Sequence, residues 1–325
     1  MKPERLPGLD ALRALAIVWV ILFHAGTLSL GWPLGPVARF GWMGVDLFFV
    51  LSGFLIGAQW FEALPSRRAH FGAFYARRAY RIFPAYLVTL GLYAFMPATR
   101  ERAQMQPLWQ FFTFTENLLI DFSSSKTFSH VWSLCVEEHF YVVFPLLSLA
   151  LFRGATLKRT VGFASLIILG GLAWRAHAWF DDVSLRGDDQ AQYFYERLYY
   201  PTWTRLDGLV MGVLLAALKV FRPAWWKRLL ERRALVLTLG VLLSGVAIWL
   251  FQEATTTGAV LFGYPILSLA FGAYTRVVLA FGITLHFAVE RPFLNLRARR
   301  SSSRATQTHL CERNSPGVAE EPASR

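Results

Sequence analysis

Two ionisable residues, Arg13 and His24, lie within the first long apolar stretch of the chain. Charged groups inside membrane-length segments are costly, so they are candidates for function. The two residues are 11 positions apart, which returns them to within about 20° of one helix face, about 16 Å apart along the axis. A guanidinium suits anion binding, and an imidazole suits proton transfer near neutral pH. The alternative is that Arg13 extends to the headgroups and His24 lies at the opposite interface.

Further polar residues stand near the starts of three other apolar stretches. Since these stretches are expected to begin on the side where the first one ends, the residues should lie on the same side as His24. A histidine beside carboxylates and an arginine is suited to general acid–base chemistry on a hydroxyl group. The alternative is a set of ion pairs that fix helix packing, above all Arg205 with Asp207. The residues are Asp46, Ser133, Glu137, Glu138, Arg205 and Asp207.

Three arginines, Arg77, Arg78 and Arg81, precede Pro84 at the expected start of the third apolar stretch. Arg77 and Arg81 share a helix face because they are four residues apart. Such arginines commonly anchor a helix on the cytoplasmic side of a membrane. The more specific hypothesis is a phosphate clamp for a nucleotide-bearing donor, because a guanidinium binds phosphate oxygens in a bidentate way.

Motifs of common soluble enzymes are missing from the sequence. It has no GxGxxG, Walker-type glycine loop, CxxC or HExxH, and Ser52 does not form a GxSxG elbow. The histidines show no metal-ligand spacing, so we predict no metal and no bound cofactor. Cys135 lies in an apolar stretch and Cys311 in a polar one, which does not indicate a disulfide.

Composition places the chain among membrane proteins. Of its 325 residues, 55% are hydrophobic and only 17% are charged, and the mean hydropathy is +0.39. Soluble domains are about 25% charged. The net charge of +12 comes from basic residues clustered between apolar runs, which is the topology signal of a membrane protein, so we predict no nucleic-acid partner.

Hydropathy predicts an all-α, polytopic transmembrane bundle of about eight spans. Basic residues dominate alternate loops, at 61–82, 153–159 and 222–233, whereas the loop at 180–203 is acidic. This alternation predicts a multi-pass membrane protein with a cytoplasmic N-terminus. A cleaved signal peptide is the weaker alternative, because Asp10, Arg13 and His24 interrupt the first apolar run. The expected spans are 9–30, 43–61, 79–97, 131–152, 160–179, 203–221, 234–252 and one within 258–290.

Several blocks of sequence occur in the order found in one known family. The first span, GLDALRALAIVWVILFHAG, resembles the opening motif of the membrane acyltransferase-3 family, and GWMGVDLFFVLSGFLIG at 41–57 resembles its second-span signature. RRAYRIFPAY at 77–86 and HVWSLCVEEHFYVVFP at 130–145 are similar to its third- and fourth-span motifs. TRLDGLVMGVLLA at 204–216 and VERPFLNL at 289–296 resemble later blocks. The resemblance covers the chain to about residue 297, which gives a membrane domain at 1–297 and a disordered cytoplasmic tail at 298–325.

The resemblance implies an O-acyltransferase that moves an acyl group, commonly acetyl, from cytoplasmic acyl-CoA to a hydroxyl of a polysaccharide, lipid-linked sugar or secondary metabolite. By motif position it implies catalytic roles for His24, Arg13 and Glu138, and donor binding by Arg77, Arg78 and Arg81. Asp46, Ser133, Glu137, Arg205 and Asp207 remain supporting candidates.

Two features depart from the family pattern. His139 stands where the family commonly has Gln, and the family's usual ten spans are reduced by one hairpin, which leaves eight. Two alternatives to an active acyltransferase therefore remain: a transporter, and a catalytically impaired shortened member.

Overall fold

The structure, a computed structural model, describes residues 7–27, 35–63, 71–102, 104–121, 127–151 and 156–285. The VERPFLNL block, the boundary at 297 and the tail at 298–325 lie outside the described residues. Every regular element in the described ranges is helical, with no strand among them, which confirms the all-α class.

Twelve α-helices occur in the described ranges, joined by short 3₁₀ and π segments. They are α1 (Pro7–Thr27), α2 (Gly35–Arg39), α3 (Met43–Ala63), α4 (Phe71–Phe95), α5 (Leu108–Phe112), α6 (Trp132–Leu151), α7 (Leu157–Asp181), α8 (Gln190–Phe194), α9 (Asp207–Phe221), α10 (Pro223–Glu231), α11 (Arg233–Leu250) and α12 (Tyr264–Leu285).

Eight of these helices coincide with the eight apolar stretches of the sequence, but fewer qualify as membrane spans. Five described segments are long and apolar enough to cross a membrane. Counting the bent pair α9 and α10, whose axes differ by 108°, raises the number to six. Helix α4 is less apolar because three arginines lie in its first half. The helical membrane character is therefore confirmed, whereas the count of eight is not. The five segments are Gly8–Gly26, Met43–Ala63, Leu157–Leu185, Arg233–Leu250 and Ala259–Val277.

Helix α3 forms the centre of the bundle, with 78% of its apolar window buried. Its closest neighbour is α9, and glycines permit that contact. A Cβ atom on Gly53 would lie 2.0 Å from the carbonyl oxygen of Leu209, and one on Gly212 would lie 2.2 Å from that of Val50. Small residues at helix crossings are the common way to pack transmembrane helices. By contrast, only 11% of the apolar windows of α1 and α11 is buried, so their apolar faces are available to lipid.

The directions of four helices define two ends of the bundle. We call the end at which α1 begins the near end, and the end at which α1 finishes, close to His24, the far end. Helix α6 begins at the far end, since the rings of His24 and His130 are 6.2 Å apart. Helix α4 finishes there, since the ring of Tyr93 is 5.8 Å from that of His130. Helix α3 runs from the far end to the near end, because Gly41 and Gly44 contact Trp19 and Ala16 of α1.

Candidate active site

A buried carboxylate, Glu137, lies at the centre of the charged residues. It is 5% exposed and lies beside the hydroxyls of Ser52 on α3 and Tyr141 one turn further along α6; its Oε1 atom is buried without a hydrogen-bond partner. It also interacts electrostatically with Arg78 and Arg13. Ser52 is close to the middle of α3, so this group of charges lies near mid-depth in the bundle. Charged groups at this depth are costly, so this cluster is a candidate functional site.

The arginines on α4 lie deeper than the sequence indicated. The third span was expected to begin at residue 79, whereas α4 begins at Phe71, so the three arginines are in its second and third turns. The guanidinium of Arg78 lies 3.2 Å from the ring centroid of Tyr141 and interacts with Glu137 and Glu138. Arg81 interacts electrostatically with Arg13. Arg77 is exposed.

Arg13 joins the same cluster from α1. Its guanidinium lies 5.9 Å from the ring centroid of Phe48 and 3.9 Å from the mostly exposed carboxylate of Asp10. The Nε atoms of Arg13 and Arg78 are buried and have no hydrogen-bond partner. Two helices, α1 and α4, therefore bring guanidinium groups with unused donors to one place, which is an arrangement that can bind an anion.

His24 lies at the far end of α1, where its ring is exposed. Its neighbours are Phe23, at 5.3 Å between centroids, and His130, at 6.2 Å. The 11-residue separation within one helix keeps His24 about 16 Å along the axis from Arg13. The imidazole therefore lies at the surface of the far end of the bundle.

A cavity of about 250 Å³ lies between α1, α3 and α6. On α1 it is lined by Ala16, Ile17, Val20 and Ile21, the residues that lie between Arg13 and His24. Ser133 and Glu137 border it on α6, and the rest of its lining is apolar. The cavity follows the helix face that carries both ionisable residues.

The placement of the α6 carboxylates corrects one expectation. The sequence placed Glu137 and Glu138 level with His24, but Glu137 interacts with Arg13 and Glu138 with Arg78. Since α6 runs antiparallel to α1, each turn beyond His130 moves away from His24 and towards Arg13. Ser133 borders the cavity in the first turn of α6, whereas Glu137 borders it one turn deeper. The carboxylates therefore belong to the arginine cluster.

The remaining predicted residues form buried ion pairs, but with partners that the sequence did not indicate. Both oxygens of Asp46 accept hydrogen bonds from Arg205, at 3.0 and 2.9 Å. Asp207 accepts hydrogen bonds from Arg175 of α7, at 2.6 and 3.2 Å. Arg205 and Asp207 thus connect to other helices rather than to each other. Arg175 was missed, although a charge inside an apolar stretch is the signal that could have found it.

The described part of the chain contains no group of three or more His, Cys, Asp or Glu residues placed to hold a metal ion. Cys135 is a buried, free thiol. The Nδ1 atom of His139, at the position where Gln is common, lies 2.7 Å from the hydroxyl of Thr202.

Comparison with known proteins decides the family. Residues 6–308 match the family described as an acyltransferase domain. The chain belongs to the membrane acyltransferase-3 family. It therefore carries an acyltransferase domain, and its long apolar helices agree with a family of membrane proteins.

Proteins similar to the chain include bacterial O-acetyltransferases. The chain is 31% identical over 231 residues to the O-acetyltransferase OatA of Staphylococcus aureus strain NCTC 8325, and equally to that of strain COL. The alignment covers 66% of this chain and 35% of either relative, so the match spans about a third of their length. No solved structure matches the chain.

Proposed function

We propose that this acyltransferase is an integral protein of a bacterial-type inner membrane that transfers an acyl group, acetyl in the first instance, from acyl-CoA to a hydroxyl group. The acceptor would be a carbohydrate, a lipid-linked sugar or a secondary metabolite. The relatives' name, O-acetyltransferase, supports the acetyl group and the hydroxyl acceptor.

The observation that carries the proposal is the cavity between the arginine cluster and His24. The phosphates of acyl-CoA would bind Arg78, Arg81 and Arg13, with Arg77 at the exposed edge of the site. The apolar lining from Ala16 to Ile21 suits the uncharged acyl end of the donor. Burial of the acyl group there would exclude water and so protect the thioester from hydrolysis.

His24 would then meet the acyl group at the far end of the cavity. It would act as the general base on the acceptor hydroxyl, or as a relay that carries the acyl group. Glu138 would assist from the arginine cluster by balancing the charge of Arg78, with which it interacts. Asp46, Ser133, Glu137, Arg205 and Asp207 would support the site by fixing the helices that surround it.

The distribution of charge between helices supports a cytoplasmic near end. Residues 222–233 carry five basic residues against one acid, and α10, within that segment, is a short helix with Trp225, Lys227 and Arg228 on its surface. Basic residues beside spans are retained on the cytoplasmic side. In this orientation the arginine cluster faces the side that contains acyl-CoA, and His24 faces the opposite side.

The test is acyl transfer from labelled acetyl-CoA in membranes that contain either the wild-type chain or His24→Ala. Removal of a general base or relay should lower transfer by about 10²- to 10⁴-fold. A matched control is His177→Ala, since His177 is an exposed histidine of α7 whose partner is Asp181 in the next turn. Unchanged transfer by His24→Ala at equal expression would contradict the proposal. Substrate uptake by proteoliposomes without acyl-CoA would instead indicate a transporter.

A further inference from the structure

A second imidazole, that of His130, is held beside His24 by a carboxylate. His130 belongs to the 3₁₀ turn before α6, and its Nδ1 atom lies 3.5 Å from Oε1 of Glu101. Glu101 follows α4 and accepts a hydrogen bond from the hydroxyl of Tyr93 at 3.2 Å. Its other oxygen, Oε2, accepts one from the backbone N–H of Phe128 at 3.0 Å. Three groups from two segments thus fix the carboxylate.

The backbone beside His130 and Glu101 is strained and is held in place by ring contacts and hydrogen bonds. Phe128 has a φ of 62°, in the left-handed region that non-glycine residues adopt at a cost of about 1–3 kcal/mol. Its ring stacks on that of Tyr93 at 4.5 Å and contacts the ring of His130 at 5.0 Å. The hydroxyl of the preceding Thr127 donates to the carbonyl oxygens of Arg102 and Gln104, at 3.0 and 2.6 Å. This segment therefore holds His130 in a defined place while its side chain stays 45% exposed.

Glu101 is ionised at neutral pH. Partial burial raises the pKa of its carboxyl group, but the nearby His130 ring and the backbone N–H of Phe128 outweigh that effect and lower the pKa to about 2. An ionised carboxylate on one ring nitrogen directs the proton to that nitrogen and leaves the other as an acceptor. With Glu101 at Nδ1, the acceptor nitrogen of a neutral His130 is Nε2.

The spacing of the two rings suits a hydroxyl group between them. The centroids of His24 and His130 are 6.2 Å apart and the rings are inclined by 63°. Ring nitrogens lie about 1.1 Å from the centroid, and a hydrogen bond to oxygen is about 2.8 Å long, so one oxygen about 4 Å from both centroids could contact both rings. The angle at that oxygen would be roughly 100°, close to tetrahedral.

We propose that His130 is the general base that deprotonates the acceptor hydroxyl, that Glu101 is its positioning residue, and that His24 is the acyl relay. This rests on the proposed function, and it divides the work between two histidines. The groups that face His130 are His24 from α1, Tyr93 from α4 and Glu101 from the following loop.

The bonds and protons balance over two steps. First, a nitrogen of His24 attacks the thioester carbon, its C–N bond forms, the C–S bond breaks, and CoA leaves as the thiolate. Second, the acceptor oxygen attacks the acyl carbon on the positively charged ring, its C–O bond forms, and the C–N bond breaks, which returns His24 to neutral imidazole. The hydroxyl proton passes to His130, which releases it to solvent, and the thiolate takes a proton from solvent.

The experiment measures acetyl transfer by the full-length chain in membranes, with His130→Ala and Glu101→Gln. His130→Ala should lower kcat by about 10²- to 10⁴-fold, as expected for loss of a general base. The KM for acetyl-CoA should not change, since the donor site is at the arginine cluster. Added imidazoles should restore part of the rate, in proportion to their basicity, because the position of His130 is exposed. Glu101→Gln should lower kcat by about 10- to 100-fold, as for loss of an interaction with an ionised partner, and Glu101→Asp should recover part of the lost activity.

Two results would overturn the inference. One is a wild-type kcat for His130→Ala. The other is a loss of activity with normal acetyl-CoA binding that no imidazole restores, because a purely structural role does not depend on added base. The inference alone fails if the wild-type chain and His130→Ala transfer acetyl at the same rate while His24→Ala transfers none. If wild type transfers nothing, or His24→Ala is normal, the proposed function fails instead.

Discussion

Replacement of Asp46 by asparagine should destabilise the bundle strongly, because it removes the counter-charge of Arg205. The side chains of Arg205 and Asp46 are 0% and 4% exposed, respectively. The Nε and Nη1 atoms of Arg205 have no hydrogen-bond partner. Breaking a buried ion pair from one side typically costs about 3–5 kcal/mol. The ring centroids of Tyr264 and Tyr199 lie 4.0 and 4.6 Å from the guanidinium and continue to stabilise the cation. We therefore expect a loss near the lower limit, about 3 kcal/mol, or about 100-fold in the unfolding equilibrium.

The assay is denaturant unfolding in detergent micelles, followed by Trp fluorescence, with a matched exposed pair as control. Lys219 and Glu62 also join two helices, at 3.0 Å, but their side chains are 37% and 55% exposed. Glu62→Gln should therefore cost less than about 1 kcal/mol. A double variant, Asp46→Leu with Arg205→Met, should recover most of the stability, because replacing both members of a buried pair by apolar groups is often neutral. Equal losses for Asp46→Asn and Glu62→Gln would refute the reasoning.

Three further predictions concern packing, the donor and pH. Gly53→Val should abolish folding or sharply lower the midpoint of thermal unfolding in detergent, because a Cβ atom there would lie 2.0 Å from a backbone oxygen of α9. The control is Gly91→Val, since nothing lies within 4 Å of the Cβ position of Gly91. Arg78→Ala should raise the KM for acetyl-CoA by about 10- to 100-fold. Arg77→Ala, which changes an exposed arginine, should raise it less. Equal increases in KM would contradict a specific phosphate clamp. Because the pKa of Glu101 falls from 4.5 to about 2 on folding, its contribution to stability should be complete above about pH 4.5 and lost as the pH falls towards 2. Glu101→Gln should flatten unfolding free energy against pH in that window, and an unaltered slope would argue against the pairing.

The helices themselves were largely predictable from the sequence. Apolar stretches of about 20 residues specify helices in a membrane, since only internal backbone hydrogen bonding is possible there. The predicted boundaries 43–61 and 234–252 differ by at most two residues from those of α3 and α11. The start of α4 differs by eight residues, because Arg77 and its neighbours interrupt the apolar pattern without interrupting the helix. Arginine is a good helix former, so the backbone continues through residues that a hydropathy profile excludes.

The depth and pairing of the charges were less predictable. Charge counting assigns a residue to one side of a membrane, but it does not say which side chains of different helices meet. Asp207 was associated with Arg205, two residues away, whereas its partner is Arg175, 32 residues earlier in the chain. Such pairs depend on which helices are neighbours and on how each helix is rotated about its axis. Both depend on close packing at positions such as Gly53. Glu101 carried no signal, because it lies outside the apolar stretches and outside the family motifs.

Under the proposed function, the cost of burying charge accounts for the separation of Arg13 from His24. The phosphates of a CoA donor are strongly anionic, and the segment of α1 from Ala16 to Ile21 offers them no partner. Such groups must therefore stop at the arginines, and only an uncharged segment can continue along the cavity. A histidine suits the other end because it can take up a proton or an acyl group and return to neutrality within one cycle. A permanently charged residue at that position could bind the acceptor but could not complete the transfer.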